Sequence, residues 1–115
     1  MDIQAIILSF DTEPDKSTVD ALFALRSRGY RLAANKKIGV CDVFVESPEK
    51  RESLLLAAQS LGVSPWECAA AQRNEQSVVA AKSSGMTAIG VGKAKNCVYA
   101  DFSVNDIGEL AELLK

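Results

Sequence analysis

With 115 residues, 48% hydrophobic and 24% charged, the chain has the length and balance of one soluble globular domain with a single core. A net charge of −2 with scattered Lys and Arg leaves no basic stripe, which argues against nucleic-acid binding, and no apolar run approaches the roughly 20 residues that span a bilayer. The absence of His excludes a Cys/His zinc centre and a Cys–His nucleophile, so Cys41, Cys68 and Cys97 read as reduced thiols of a cytoplasmic protein.

The opening MDIQAIILSFD carries an acid and no basic region, which is not the pattern of a signal peptide. Residues 3–9 form a short apolar run expected to be a buried parallel strand. Residues 10–16 are a turn with three acids and Pro14. Ser17 followed by Asp20 suggests a capping box for a helix whose apolar face is Val19, Leu22, Phe23 and Leu25, closed by Gly29. Residues 30–34 and 42–45 read as the second and third strands, separated by a polar turn at Asn35-Lys36-Lys37. Ser47-Pro48 predicts the next helix start, with Ser as cap and Pro at the first helical position. Its buried stripe is Leu54, Leu55, Ala58 and Leu61. Ser64-Pro65-Trp66-Glu67 is a capped turn in which Glu67 reaches back. Residues 68–71 are strand four, Asn74 caps a helix with Val78 and Ala81 inward, and Thr87–Val91 is strand five. Residues 100–104 are a candidate edge strand, and Asn105 opens a terminal helix with Ile107, Leu110, Ala111 and Leu114 on one face. Such regular alternation predicts a three-layer, Rossmann-like α/β sandwich around a mainly parallel sheet of five or six strands.

Between Leu61 and Gly92 the residues carry a more specific signal. Leu61-Gly62-Val63-Ser64-Pro65, Glu67-Cys68, Ala80-Ala81-Lys82, Gly85-Met86 and Ile89-Gly90-Val91 resemble, in register, the second half of the haloacid dehalogenase superfamily, most closely its β-phosphoglucomutase-like phosphatases. Ala5-Ile6-Ile7 with Asp11, Leu25-Arg28-Gly29-Tyr30 and the tail from Ala100-Asp101 to Glu109-Leu110 resemble that family's other segments. The resemblance spans nearly the whole chain and implies one haloacid dehalogenase-like core domain over residues 1–115. The long insertion usual after the family's first motif is lacking, so no cap domain is expected.

That family transfers phosphoryl groups with a nucleophilic Asp, a second Asp two residues on as acid/base, a hydroxyl and a Lys for phosphate, and an acidic loop that helps hold Mg²⁺. By the resemblance, the nucleophile position falls on Ser9 and the acid/base position on Asp11. Ser is a feeble nucleophile without a base to activate it. The phosphate-binding hydroxyl falls at Ala34, beside Asn35. The Lys falls near Pro48, with Lys50 the nearest substitute. The acidic pair falls at Gln72-Arg73, where a guanidinium repels the Mg²⁺ that carboxylates would neutralise. Only Asp11 keeps the residue type that the chemistry asks for.

Asp11 is therefore read as a remnant acid/base or a loop-capping carboxylate. Arg73 either pairs with Asp11 from the vacated metal position or is a surface-loop arginine. Asn35, Lys36, Lys50 and Arg73 are candidate anion-binding residues, or solvated surface groups. Cys68 is expected in the core, and Trp66 is a lid on it or part of a contact surface. Three function classes follow. The first is a catalytically inactive module, with no cofactor expected, that binds a protein partner or self-associates. The second is a Mg²⁺-dependent phosphatase or phosphomutase of low activity, and the third a sensor of small phosphorylated or anionic metabolites. No nucleic acid or membrane partner is expected.

Overall fold

The computed structural model describes residues 3–114. Six strands form one sheet in the order β3-β2-β1-β4-β5-β6 and every neighbouring pair is parallel. They are β1 Ala5–Leu8, β2 Arg31–Ala34, β3 Val43–Phe44, β4 Cys68–Gln72, β5 Thr87–Val91 and β6 Phe102–Val104. The helices are α1 Lys16–Ser27, α2 Arg51–Leu61, α3 Glu75–Ser83 and the single turn α4 Leu110–Leu113. Among the described residues no helix is long and apolar enough to cross a membrane.

The strands are apolar on both faces because both faces are covered. Side chains of a strand alternate, so Ile6 and Leu8 of β1 meet Leu22 and Leu25 of α1 and Leu110 of α4. Ala5 and Ile7 turn the other way, to Leu54 and Ala58 of α2 and Val78 and Ala81 of α3. The three layers expected from the sequence are present. The strand order reverses between β1 and β4, each of which starts a walk in the opposite direction. In an open α/β sheet, the crevice at the carboxyl ends of such a pair is where ligands bind.

Four expectations for local structure are corrected. The cap of α1 is Asp15, whose carboxylate accepts from Thr18 N–H at 2.9 Å. Ser17 lies within the first turn of the helix and donates its hydroxyl to Asp15. Phe23 is exposed, and the buried residues of α1 are Leu22 and Leu25. The second helix begins at Arg51 rather than Ser47, because 47–50 is a turn closed by Lys50 N–H donating to Ser47 C=O at 3.0 Å. The end of the chain opens with a 3₁₀ turn, Ile107–Glu109, before α4, while Ile107, Leu110 and Leu114 are buried as expected. Asn74 does cap α3, accepting from Ser77 N–H at 2.9 Å, and Glu67 reaches back to Ser64 N–H at 2.8 Å.

Candidate functional site

The loops leaving β1 and β4 meet over the reversal point. Leu8 pairs with Ala71 in the sheet, so Asp11 and Arg73 emerge side by side a few residues beyond it. Arg73 Nε donates to Asp11 Oδ2 at 2.9 Å, the pairing the sequence had left open against a solvated arginine. Asp11 is 76% exposed and Arg73 33% exposed, so the carboxylate stands at the mouth and the guanidinium lies deeper. Together they line a recess of about 350 Å³ with Phe10, Thr12, Glu13, Asp15 and Asp106. Four acids and one cation make it an acidic site, with Arg73 its only positive lining group among the described residues.

The neighbour of Arg73 faces inward. Gln72 is fully buried and its Nε2 donates to the Pro48 carbonyl at 2.8 Å, tying β4 to the turn that precedes α2. Its Oε1 has no hydrogen-bond partner among the described residues. A buried acceptor left unpaired is uncommon and costs desolvation energy.

Asn35 is engaged too. Its Oδ1 accepts from Phe10 N–H at 2.8 Å and its Nδ2 donates to Phe10 C=O at 2.9 Å. The side chain thus continues, for one residue, the pairing of β2 with β1 and fixes where the loop carrying Ser9 and Asp11 leaves the sheet. Both polar atoms of that amide are thus engaged by the Phe10 backbone. Lys36 lines a separate cavity of about 460 Å³ formed by its own loop with Ile38, Cys41, Val43 and Phe44, in which Lys37 Nζ lies 5.8 Å from the Phe44 ring centre. Lys50 lines neither that cavity nor the acidic recess. Lys36 and Arg73 thus line different recesses. Sequence reasoning missed Glu13, Asp15 and Asp106 as recess residues: the acidic turn was visible, but nothing in the sequence placed Asp106 beside it.

Cys41, Cys68 and Cys97 are free thiols. Burial, with Asp42 adding and Arg26 opposing, pushes Cys41 up to about 11, and burial with Glu67 pushes Cys68 up to about 11. Neither is a thiolate nucleophile near neutral pH. Cys68 lies in the core and Trp66 is exposed.

Over 61 residues the chain is 44% identical to a β-phosphoglucomutase of Bacillus subtilis, covering 52% of this chain and 27% of that one. Over 74 residues it is 39% identical to a phosphoglycolate phosphatase of Chromobacterium violaceum, covering 59% of this chain and 33% of that one. The chain thus spans a third or less of the length of these curated relatives. Its fold matches a haloacid dehalogenase-like hydrolase of Streptococcus pneumoniae with a TM-score of 0.75 at 12% identity, covering 99% of each chain. The chain has a haloacid dehalogenase-like fold, and its partial sequence matches are to a phosphoglucomutase and a phosphatase. A second structure, the 3-deoxy-D-manno-octulosonate 8-phosphate phosphatase of Moraxella catarrhalis with magnesium, phosphate and its sugar acid, matches with a TM-score of 0.76 at 16% identity, covering 97% of this chain and 85% of that one. No protein-family model matches the chain.

Haloacid dehalogenase chemistry implies Mg²⁺, and the groups at the positions that the family resemblance would assign to it do not suit it. Mg²⁺ prefers hard oxygen ligands with carboxylates to neutralise it. Here Asp11 is a lone carboxylate among Ser9, Gln72 and Arg73. Gln72 offers no inward-facing charge, and the Arg73 guanidinium occupies the space beside Asp11. Among the described residues no group of three or more His, Cys, Asp and Glu is placed to hold one metal ion.

Proposed function

We propose that this haloacid dehalogenase-like domain is a metal-independent, catalytically silent binding module of the cytoplasm that acts on a protein partner or on a second copy of itself. One observation carries the reading. The loop that would furnish the acidic pair by the family resemblance carries Gln72, sealed inward on the Pro48 carbonyl, and Arg73, which pairs with Asp11. The magnitudes matter here. An exposed ion pair adds at most about 1 kcal/mol, so Arg73 alone could not bar a tightly bound ion. The stronger obstacle is the missing carboxylates, because each lost oxygen ligand also removes a charge that offsets dehydration of Mg²⁺.

The rival reading is a Mg²⁺-dependent phosphatase or phosphomutase of low activity, favoured by the names of the two curated relatives and by the exposure of Asp11 at the recess mouth. A generic aryl phosphoester incubated with concentrated enzyme and millimolar Mg²⁺ separates the two. The silent reading expects no turnover above a protein-free blank, together with a concentration-dependent oligomer in sedimentation or a specific protein partner. Turnover that needs Mg²⁺ and disappears in Asp11→Asn would establish the rival.

A further inference from the structure

We propose that Arg73 is the resident cation of this site, a tethered guanidinium in the place where the fold family implies a divalent ion, so that the strand-end crevice keeps its shape and its charge balance without metal. The inference rests on the metal-independent reading above and adds to it that the cation position itself survives. Three observations converge on this. Arg73 Nε donates to Asp11 Oδ2 at 2.9 Å across the gap between the loops that leave β1 and β4. The guanidinium is the more deeply placed partner of the pair and, among the described residues, the only basic group lining a recess that also contains Glu13, Asp15 and Asp106. The carboxylate it meets is held in place from behind, since the two hydrogen bonds of Asn35 fix the adjacent Phe10 backbone. A guanidinium stays charged throughout the accessible pH range and cannot dissociate from its own chain. It therefore offers Asp11 a cation that never leaves the chain, whereas a bound ion is present only while the ion is available.

An incidental surface pair would share the 2.9 Å contact, so the test reads metal response rather than stability alone. Thermal melting would be followed with and without millimolar Mg²⁺ for the wild type, Arg73→Met, Arg73→Asp and the double variant Asp11→Asn/Arg73→Asp. The wild type and Arg73→Met should ignore Mg²⁺. Arg73→Asp sets a second carboxylate beside Asp11. It should melt lower without metal and recover by roughly 5 °C once Mg²⁺ reaches about ten times its dissociation constant. The double variant should lose that recovery. Arg73→Asn, which adds a neutral oxygen without repulsion, gives a second measure should Arg73→Asp fail to fold, with a smaller rise that again needs Asp11. No Mg²⁺-dependent rise in either Arg73→Asp or Arg73→Asn would overturn the proposal and leave the metal-independent reading standing. A wild type stabilised by Mg²⁺ would overturn that reading as well.

Discussion

Gln72→Glu replaces the sealed amide by the near-isosteric acid that the family resemblance implies at this position, and the surroundings dictate the consequence. The wild-type Nε2 is a donor to Pro48 C=O at 2.8 Å inside a fully buried site. A neutral carboxylic acid can donate its O–H to the same carbonyl, whereas a carboxylate cannot and would face it acceptor to acceptor. Burial and the lost hydrogen bond both favour the protonated form, so the folded-state pKa of the introduced carboxyl rises above its unfolded value of about 4.3. A rise of about 2 units, modest for a buried group, corresponds to about 2.7 kcal/mol. The sign follows from proton linkage: the folded state binds the extra proton, so the contribution is intact below the unfolded pKa and is lost as pH rises through the folded one. Urea unfolding of variant and wild type at about pH 4 and about pH 8 would measure it. The two midpoints should nearly coincide in acid and separate by on the order of 1–2 M at the higher pH. Millimolar Mg²⁺ should not close that gap, since the side chain at position 72 is turned inward to the Pro48 carbonyl. A penalty equal at both pH values would refute the reasoning, because the new carboxylate would then have reached solvent or a partner.

Gly90→Ala should cost about 3 kcal/mol and lower Tm sharply, since a Cβ there would overlap the Ala94 carbonyl oxygen and press on Ala100 Cβ at 3.3 Å; calorimetry checks it. Asn35→Ala should lose about 2 kcal/mol in chemical unfolding by releasing both Phe10 backbone groups. It should also raise amide exchange in the loop that carries Asp11. Asp101 is raised by burial but lowered more strongly by the Ala88 N–H and by Lys82, so its carboxyl titrates below the ordinary 3.8. Asp101→Asn should therefore cost about 1 kcal/mol near neutral pH, discounted for exposure, and nothing once the pH falls well below 3.8, where both proteins carry a neutral group. Alkylation kinetics should find Cys41 and Cys68 unreactive near neutral pH in the folded state, as their upward-shifted values require.

What was legible in the sequence is local or repeated in the pattern. Apolar runs marked β1 and β5, and the side-chain caps at Ser64–Glu67 and Asn74 stand where they were expected. The errors have long-range or competitive causes. Ser47-Pro48 fits a helix start, but the Pro48 carbonyl accepts a hydrogen bond from Gln72, 24 residues away, and 47–50 stays a turn. Asp15 and Ser17 are both good caps, and nothing in the local sequence says which will accept and which will donate. At the site, the contact between Asp11 and Arg73 bridges 62 residues and could be anticipated only because the family resemblance set both beside one cation. The two hydrogen bonds of Asn35 to the Phe10 backbone were not anticipated. The available signal was positional: Ala34 pairs with Leu8, so the amide that follows has the backbone after β1 as its nearest neighbour.

The central claim concerns what neutralises Asp11, and a crystal structure of the wild-type protein grown in Mg²⁺ and phosphate examines it directly. The account predicts Arg73 Nε still on Asp11 at hydrogen-bond distance and no ion between the loops that follow β1 and β4. Octahedral density with oxygen ligands about 2.1 Å away, one of them from Asp11 and with Arg73 displaced, would contradict it.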